Sequence, residues 1–352
     1  MKLIASNRCL VCGAASLEPL ISITDVPMLC NRLCASEAEA ANAPHGDISL
    51  RYCLDCGHIV NSAFDHGRVN YDGRYENTLT FRRATDNMRR RRPIGSLTAT
   101  DLVANASSRS DAAAVYFLRV LCAAGNHGEG YDPSQPSSRC AAGRGSVEII
   151  GRNFAVEDAR GADFVCCRHV LEHLPEPMDL LRQLREIIAI RGDAVVFFEV
   201  PNGLFTLERL SIWDIIYEHV SYFMPSSLVR AFHRAGFTVS CAESAFDDQY
   251  LWLEARVNGQ ASPSGPPKRS PDVLYSSFSA RFAERVAQWR QCIDELRSDR
   301  RHVVIWGAGA KGVMFLNLLR VTTGAGVDWV VDINPRKHGC RSWGNESSAR
   351  TA

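Results

Sequence analysis

The stretch FVCCRHVLEHLPEPMDLLRQLREIIAIRGDAVVFFEV, residues 164–200, decides the fold class of this chain. Its two apolar runs, FVCCRHVL and AVVFFEV, have the length of buried strands, and MDLLRQLREIIAI between them repeats apolar residues at helical spacing. Strand-like and helical runs alternate in the same way over residues 115–257. This alternation predicts an α/β domain.

The composition is that of a globular protein. The 352 residues are 46% hydrophobic and 9% aromatic, with a formal net charge of +1. This balance gives no reason to expect nucleic acid or a membrane as partner, and the basic run MRRRRP, residues 88–93, has no interleaved aromatic residues. Without a signal-like or membrane-length apolar stretch, we expect a cytoplasmic protein whose 13 cysteines are metal ligands or buried thiols.

Three domains are predicted. Residues 1–80 are turn-rich and carry paired cysteines, residues 85–257 carry the α/β alternation, and the Pro-, Gly- and Ser-rich residues 258–272 are typical of a linker. Residues 270–352 begin with a helix whose apolar stripe, from Leu274 to Leu296, indicates core packing, and continue as a partial, truncated Rossmann-like unit.

Two Cys-x-x-Cys knuckles, CLVC and CLDCG, lie in the first domain. Each presents two thiolates at a spacing that tetrahedral Zn²⁺ accepts, and four sulfur ligands would make the zinc structural. Buried free thiols remain the alternative, and Cys30 and Cys34 in CNRLC are competing ligands. The predicted ligands are Cys9, Cys12, Cys53 and Cys56.

The segment GNHGEGYDPS, residues 125–134, is typical of the end of a second strand in a nucleotide-binding fold, with Asp132 placed to accept ribose hydroxyls. Such folds have a glycine-rich loop about twenty residues earlier, where backbone amides approach the cofactor. This chain has ASSRSDAAAVYF there, residues 106–117, with no glycine. We therefore expect weak or absent cofactor binding, and a central sheet that lacks its first strand.

Two histidine motifs stand near the strands of the central domain. VCCRHVLEHLPEP places His169 and His173 four residues apart at the end of a strand, where a structural histidine is the alternative to a catalytic one. WDIIYEHVSYF joins Glu218 to His219, and an adjacent carboxylate can raise the basicity of a histidine and fix its tautomer. His219 is thus a candidate general base, with a polar loop packed under a helix as the alternative.

A second glycine motif follows the linker. GAGAKG, with Gly307, Gly309 and Gly312, comes directly after an apolar strand, and Asp332 ends the next strand in WVVDINP. This pattern meets the dinucleotide fingerprint and supports an oxidoreductase as one alternative, although a single such motif is a weak signal.

Taken in order, the paired knuckles, YDGRYENTLTF, RHVLEHLPEP, EVPN, WDIIYEHVSYF and the late WGAGAKG with VDINP resemble the sugar C-methyltransferases. The resemblance covers roughly residues 7–82 and 116–338. It implies an S-adenosylmethionine-dependent enzyme acting on a nucleotide-linked 4-keto deoxysugar. It also implies a zinc-binding first domain, a Rossmann-like class I methyltransferase domain and a half-Rossmann third domain.

The resemblance also implies residue roles. His219 would be the base, supported by Glu218, and would remove a hydrogen from the sugar carbon next to the ketone. His173, Tyr71 and Tyr75 would lie near the sugar. Asp132, Arg168 and His169 would hold the cofactor, and the nucleotide-sugar would contact Tyr217, Tyr222, Gly307, Gly309 and Lys311.

The chain departs from the family in two places. Residues 82–115 replace the glycine-rich loop, so the resemblance leaves activity of this chain in question, and IYEH stands where the family often has YHEH, which shifts Tyr217 by one position. The alternatives are a non-catalytic protein that binds zinc and a nucleotide-sugar, and a nicotinamide-dependent oxidoreductase that uses residues 303–338. The oligomeric state is not predicted.

Overall fold

A computed structural model of the chain describes residues 7–69, 75, 101–106, 113–133, 136–190, 194–259, 272–321, 326–337 and 341–342. Tyr71, the basic run, most of the predicted linker and the boundary between the first two predicted domains lie outside these ranges.

The amino-terminal part forms an antiparallel sheet that takes its last strand from the central part of the chain. Its strands, in the order β1-β3-β4-β11, are β1 Leu17–Pro27, β3 His45–Cys53, β4 Ile59–Asn61 and β11 Ser221–Tyr222. Ile48, Leu50 and Tyr52 are buried alternately along β3, the two-residue period of a strand with one face on a core. Between β1 and β3 the chain adds β2 Leu33–Cys34 and helix α1 Glu37–Ala41.

The central part is an eight-stranded sheet with the order β12-β13-β10-β9-β5-β6-β8-β7. Five neighbouring strands, β10, β9, β5, β6 and β8, are parallel, and β7, β12 and β13 run antiparallel to their neighbours. The bounds are β5 Asp101–Ala106, β6 His127–Tyr131, β7 Ser138–Ala142, β8 Gly145–Ile150, β9 Phe164–Arg168, β10 Val195–Pro201, β12 Thr238–Ala245 and β13 Tyr250–Arg256.

This strand order confirms the predicted Rossmann-like α/β fold. From β5 the chain adds strands towards β8 and then crosses to the other side of β5 for β9 and β10, so the order reverses there. Helix α3, Pro177–Ala189, buries Met178, Leu181, Leu184 and Ile188 at helical spacing against the sheet. The helices of this part are α2 Ala113–Cys122, α3 Pro177–Ala189, α4 Gly203–Arg209 and α5 Pro225–Arg234.

The expectation that the sheet lacks its first strand is wrong. Strand β5 lies between β6 and β9 and pairs with both in parallel register, Ala104 opposite Gly130 on one side and Cys166 on the other. Sheet ladders use main-chain groups, and an empty central slot would leave the facing N–H and C=O groups of two strands unpaired. That tertiary demand overrides the weak strand propensity of residues 101–106.

The carboxy-terminal part begins with the predicted amphipathic helix, α6 Asp272–Ser298, which buries Phe278 and Ile293. It continues as a strand–helix–strand unit of β14 Val304–Trp306, α7 Ala310–Leu319 and β15 Trp329–Val331, and β16 Arg341–Ser342 pairs with β2. Within the described ranges no helix is both long and apolar enough to cross a lipid bilayer.

Candidate active site and cysteine cluster

The four cysteines of the two knuckles converge beside the amino-terminal sheet. Sγ of Cys9 lies 3.5 Å from Sγ of Cys56, and Sγ of Cys12 lies 3.5 Å from Sγ of Cys53. All four sulfurs are within 4.8 Å of one another. Sulfurs bound tetrahedrally to zinc at about 2.3 Å would be roughly 3.8 Å apart, so these residues fit a zinc ion with a closed ligand shell.

Each knuckle closes on a glycine. Gly13 and Gly57 have φ of 76° and 73°, and their N–H groups donate to the carbonyl of the first cysteine of the knuckle at 2.9 and 2.8 Å. Burial and the charge of a neighbouring cysteine raise the pKa of Cys53 to about 12, so several thiolates can coexist here only when a cation shares the site. Cys30 and Cys34, the competing ligands, are buried in other clusters.

The predicted cofactor residues lie at the carboxyl edge of the central sheet. Asp132 follows β6, and Arg168 ends β9. Because β5 is parallel to both and lies between them, these residues flank the reversal of strand order, where doubly wound folds bind nucleotides. A carboxylate at the end of β6 suits the ribose hydroxyls of a nucleoside cofactor. The segment 107–112, in which a glycine loop is missing, lies outside the described ranges.

A buried charge network joins the ends of β9 and β10. Nη2 and Nε of Arg168 donate to Oε1 of Glu199 at 2.7 and 3.0 Å, and Nε2 of His169 lies 3.0 Å from the same oxygen. Burial acts to raise the pKa of Glu199, but Arg168 and His169 outweigh it and lower this pKa to about 2. Burial likewise acts to lower the pKa of His169, but Glu172 and Glu199 raise it to about 9. The predicted cofactor residues Arg168 and His169 are therefore both cations paired with carboxylates.

Two further histidines meet beside this network. The rings of His173 and His219 are edge to face, with centroids 5.0 Å apart, and Glu172 joins them in a group whose ligating atoms lie within 4.8 Å of one another. The N–H of Val220 donates to the carbonyl of Glu172 at 2.8 Å and so ties the two loops together. Burial lowers the pKa of His219 well below its ordinary value, and the charges of His173, His169 and Lys311 act in the same direction.

Glu218, the sequence neighbour of His219, has different surroundings. Its side chain is fully buried, with Tyr75 and the main chain of Cys30 beside it, and burial raises its pKa to about 7 against the opposing effect of these two groups. The Tyr75 hydroxyl also accepts a hydrogen bond from Nδ2 of Asn31 at 3.4 Å. The structure thus brings Tyr75 to Glu218 and brings Glu172 to His219.

The two predicted substrate tyrosines use their hydroxyls for main-chain hydrogen bonds. The Tyr217 hydroxyl accepts from the N–H of Asp65 at 3.0 Å. The Tyr222 hydroxyl accepts from the N–H of Ile216 and donates to its carbonyl, both at 3.0 Å. Both tyrosines hold the loop that carries His219, and substrate contact by them gains no support from this arrangement.

The late glycine turn faces the amino-terminal part of the chain. A Cβ at Gly309 would lie 3.6 Å from Nζ of Lys337 and 3.8 Å from Oδ1 of Asn31, which are ordinary contacts. A Cβ at Gly312, by contrast, would overlap the carbonyl oxygen of Gly307 and could not be accommodated. Gly307 has φ of 110°. The Asp332 carboxylate accepts from the N–H of Ala308 and from that of residue 334, both at 2.8 Å. This aspartate therefore closes the turn, whereas the dinucleotide pattern would assign it to a ribose.

Lys311, at the start of α7, connects this turn to the histidines. Its Nζ lies 2.8 Å from Oδ1 of Asp214 and donates to Oε1 of Gln249 at 3.1 Å. Asp214 belongs to the loop that leads to His219.

Sequence reasoning missed Glu172 and Glu199. Glu199 is the one charged residue in the apolar run AVVFFEV, and a charge inside a buried strand is a signal that a partner must exist. Glu172 stands three residues after His169, the spacing at which side chains of one helical turn meet.

Comparison with known families agrees with this geometry. Residues 111–242 match the model of a methyltransferase domain, and residues 270–348 match that of the C-methyltransferase C-terminal domain. The central part of the chain is therefore a methyltransferase domain. The carboxy-terminal part of the chain is a C-methyltransferase C-terminal domain.

Solved methyltransferase structures are similar at low identity. A protein in complex with the Haloferax volcanii Trm112 methyltransferase activator is 13% identical, with TM-score 0.36, over 50% of this chain and 89% of its own. Magnesium protoporphyrin IX methyltransferase from Synechocystis PCC 6803, with bound SAH, is 13% identical, with TM-score 0.31, over 46% and 74%. These TM-scores are low, so the fold assignment rests on the strand order described above. No curated protein gives a significant sequence match.

Proposed function

We propose that the chain methylates the carbon next to the ketone of a nucleotide-linked 4-keto deoxysugar. The observation that carries this proposal is the position of Lys311. This residue belongs to the matched C-methyltransferase C-terminal domain, and it pairs with Asp214 on the loop that leads to His219. A ligand held by the turn at residues 307–312 would therefore have the histidine cluster beside it.

The cluster suits removal of a weakly acidic hydrogen. A hydrogen on the carbon next to a ketone is acidic because the remaining electron pair spreads onto oxygen as an enolate. Burial keeps the His219 imidazole neutral, so it has a lone pair to accept that proton. The side chains of Glu218 and Tyr75 lie against each other and would hold the loop that carries His219 in place.

When bound, S-adenosylmethionine supplies an electrophilic methyl group. In this chain Asp132 would hold its ribose hydroxyls, and Arg168 and His169 would present positive charge at the same sheet edge. Zinc at Cys9, Cys12, Cys53 and Cys56 would be structural, since its ligand shell is complete.

Deuterium exchange tests the base without the methyl donor. The purified protein is incubated in D₂O with uridine- and thymidine-diphosphate-linked 4-keto-6-deoxyhexoses, and deuterium at the carbon next to the ketone is followed by NMR. We expect exchange with the wild-type protein and a loss of about 100-fold or more in the His219→Gln variant. His233→Gln, at an exposed position of α5, is the control. Equal exchange rates in both variants would exclude His219 as the base.

Two alternatives predict other outcomes. A non-catalytic protein that binds zinc and a nucleotide-sugar would bind these probes and exchange nothing. An oxidoreductase would bind a nicotinamide dinucleotide, but Asp332, which that function needs for a ribose, is hydrogen-bonded within its own turn. Titration with NAD(P)H measures this directly.

A further inference from the structure

Glu172 is a buried carboxylate among three histidines. It is 1% exposed, and its Oε1 lies 3.5 Å from Nδ1 of His169 and 3.9 Å from Nε2 of His173. A ligating atom of His219 is within 4.8 Å of the same group. In the described part of the chain, neither carboxylate oxygen has a hydrogen-bond partner, and neither does Nδ1 of His219.

The hydrogen bond at Nδ1 of His173 fixes the tautomer of its ring. Its Nδ1 is 3.0 Å from the carbonyl oxygen of Glu218. A carbonyl only accepts, so Nδ1 carries the hydrogen, and Nε2 of the neutral ring is a lone pair. This lone pair faces the Glu172 carboxylate, and two acceptors face each other favourably only when a positive charge comes between them.

The other charges around His219 are mostly positive. His169 comes from the end of β9, and Lys311 comes from α7, where it is paired with Asp214. The ring of Tyr222 also packs against His219, with centroids 5.6 Å apart. Glu199, from β10, already pairs with Arg168 and His169, and Glu218 is turned to Tyr75. Glu172 is thus the carboxylate in this group that faces both His173 and His219.

We propose that Glu172 is a positioning residue for the base: its carboxylate stabilises the imidazolium that forms when His219 takes the substrate proton. This rests on the proposed function. In that step the carbon–hydrogen bond breaks, the proton moves to the His219 ring, and the electron pair passes to the ketone oxygen as an enolate. Before the step Glu172 faces the His169 cation at 3.5 Å, and protonation of His219 places a second positive charge beside the same carboxylate.

Histidine NMR tests the coupling in the protein alone. With ¹⁵N-labelled histidine, the pKa values of His173 and His219 are measured in wild type, Glu172→Gln and Glu172→Asp. We expect Glu172→Gln to lower the pKa of His219 by about one unit or more, because an opposite charge within about 4–6 Å has gone. Glu172→Asp, which keeps the charge, should restore most of the shift, and Glu186→Gln, exposed on α3, should change neither histidine.

The exchange reaction supplies a second readout. We expect Glu172→Gln to lower the deuterium exchange rate about tenfold or more and to move the pH midpoint of its profile downward by the same shift as the His219 pKa. Circular dichroism of each variant checks that it is folded. If wild type shows no exchange, the proposed function fails while the NMR arm still decides the coupling.

Two results would overturn the proposal. One is an unchanged His219 pKa in a folded Glu172→Gln protein. The other is a loss of bound divalent metal in Glu172→Gln beyond the zinc of the cysteine cluster, measured by plasma mass spectrometry, because Glu172, His173 and His219 would then be metal ligands.

Discussion

The main-chain N–H of Asn61 donates to the carbonyl of Val220 at 2.8 Å, and this bond joins the amino-terminal sheet to the loop that carries His219. The Asn61 side chain, fully buried, accepts from the N–H of Ser49 at 3.0 Å and donates to the carbonyl of Tyr217 at 3.5 Å. The amino-terminal sheet therefore holds the loop from both sides of Glu218 and His219.

Replacing Asn61 with alanine removes these side-chain bonds and leaves the N–H of half-buried Ser49 without its acceptor. We expect the free energy of unfolding to fall by about 1–3 kcal/mol and deuterium exchange to slow, because the His219 loop is held less firmly. Urea unfolding and the exchange assay measure both. Asn153→Ala, at an exposed position, is the control, and an unchanged stability would contradict the prediction.

The cysteine cluster is expected to hold about one zinc per chain. Cys53→Ser should lose this zinc and destabilise the protein by more than about 4 kcal/mol, because metal loss is among the few single changes with so large an effect. Strand β4, which follows this knuckle, pairs with β11, so the loop of His219 should loosen as well. Metal analysis and thermal unfolding measure this, with exposed Cys292→Ser as the control. Far less than one zinc in the wild type would exclude the assignment.

His169 makes stability depend on pH. Its pKa is raised from 6.5 to about 9 in the folded protein. The stabilising contribution of His169 to the free energy of unfolding is therefore complete below pH 6.5 and is lost as the pH rises through 9. We expect the free energy of unfolding to fall by about 2–3 kcal/mol over that interval, and His169→Gln to flatten the slope. Urea unfolding at a series of pH values measures it. A wild-type slope equal to that of the variant would show that His169 is not the titrating group.

Affinity for S-adenosylmethionine is expected to be weak, because residues 107–112 have no glycine to let backbone amides approach the cofactor, and the proposed methyl transfer should therefore need a high cofactor concentration. Because strand β5 is present, the sheet beside the cofactor site is complete, and only the missing glycines are expected to weaken binding. Calorimetric titration decides it, and ordinary micromolar binding would refute it. Should such binding occur, Asp132→Asn should weaken it about tenfold, as expected for a lost charged hydrogen bond.

Several features of the fold are visible in the chain itself. The knuckles, the alternation of strands and helices, and the helix from residue 272 all depend on spacing between nearby residues, and the structure has each of them. The first strand was not visible, because the sheet and not the local sequence selects residues 101–106 for that slot.

The candidate site divides in the same way. The sequence by itself determined that His169, His173 and His219 stand at the ends of buried segments, since motif spacing places them there. Only the tertiary structure decided which carboxylate lies beside which histidine. Glu218 is adjacent to His219 in sequence, yet its side chain meets Tyr75, and Glu172 meets His219 through folding of a distant loop. Sequence adjacency constrains backbone distance, whereas side-chain direction follows from packing.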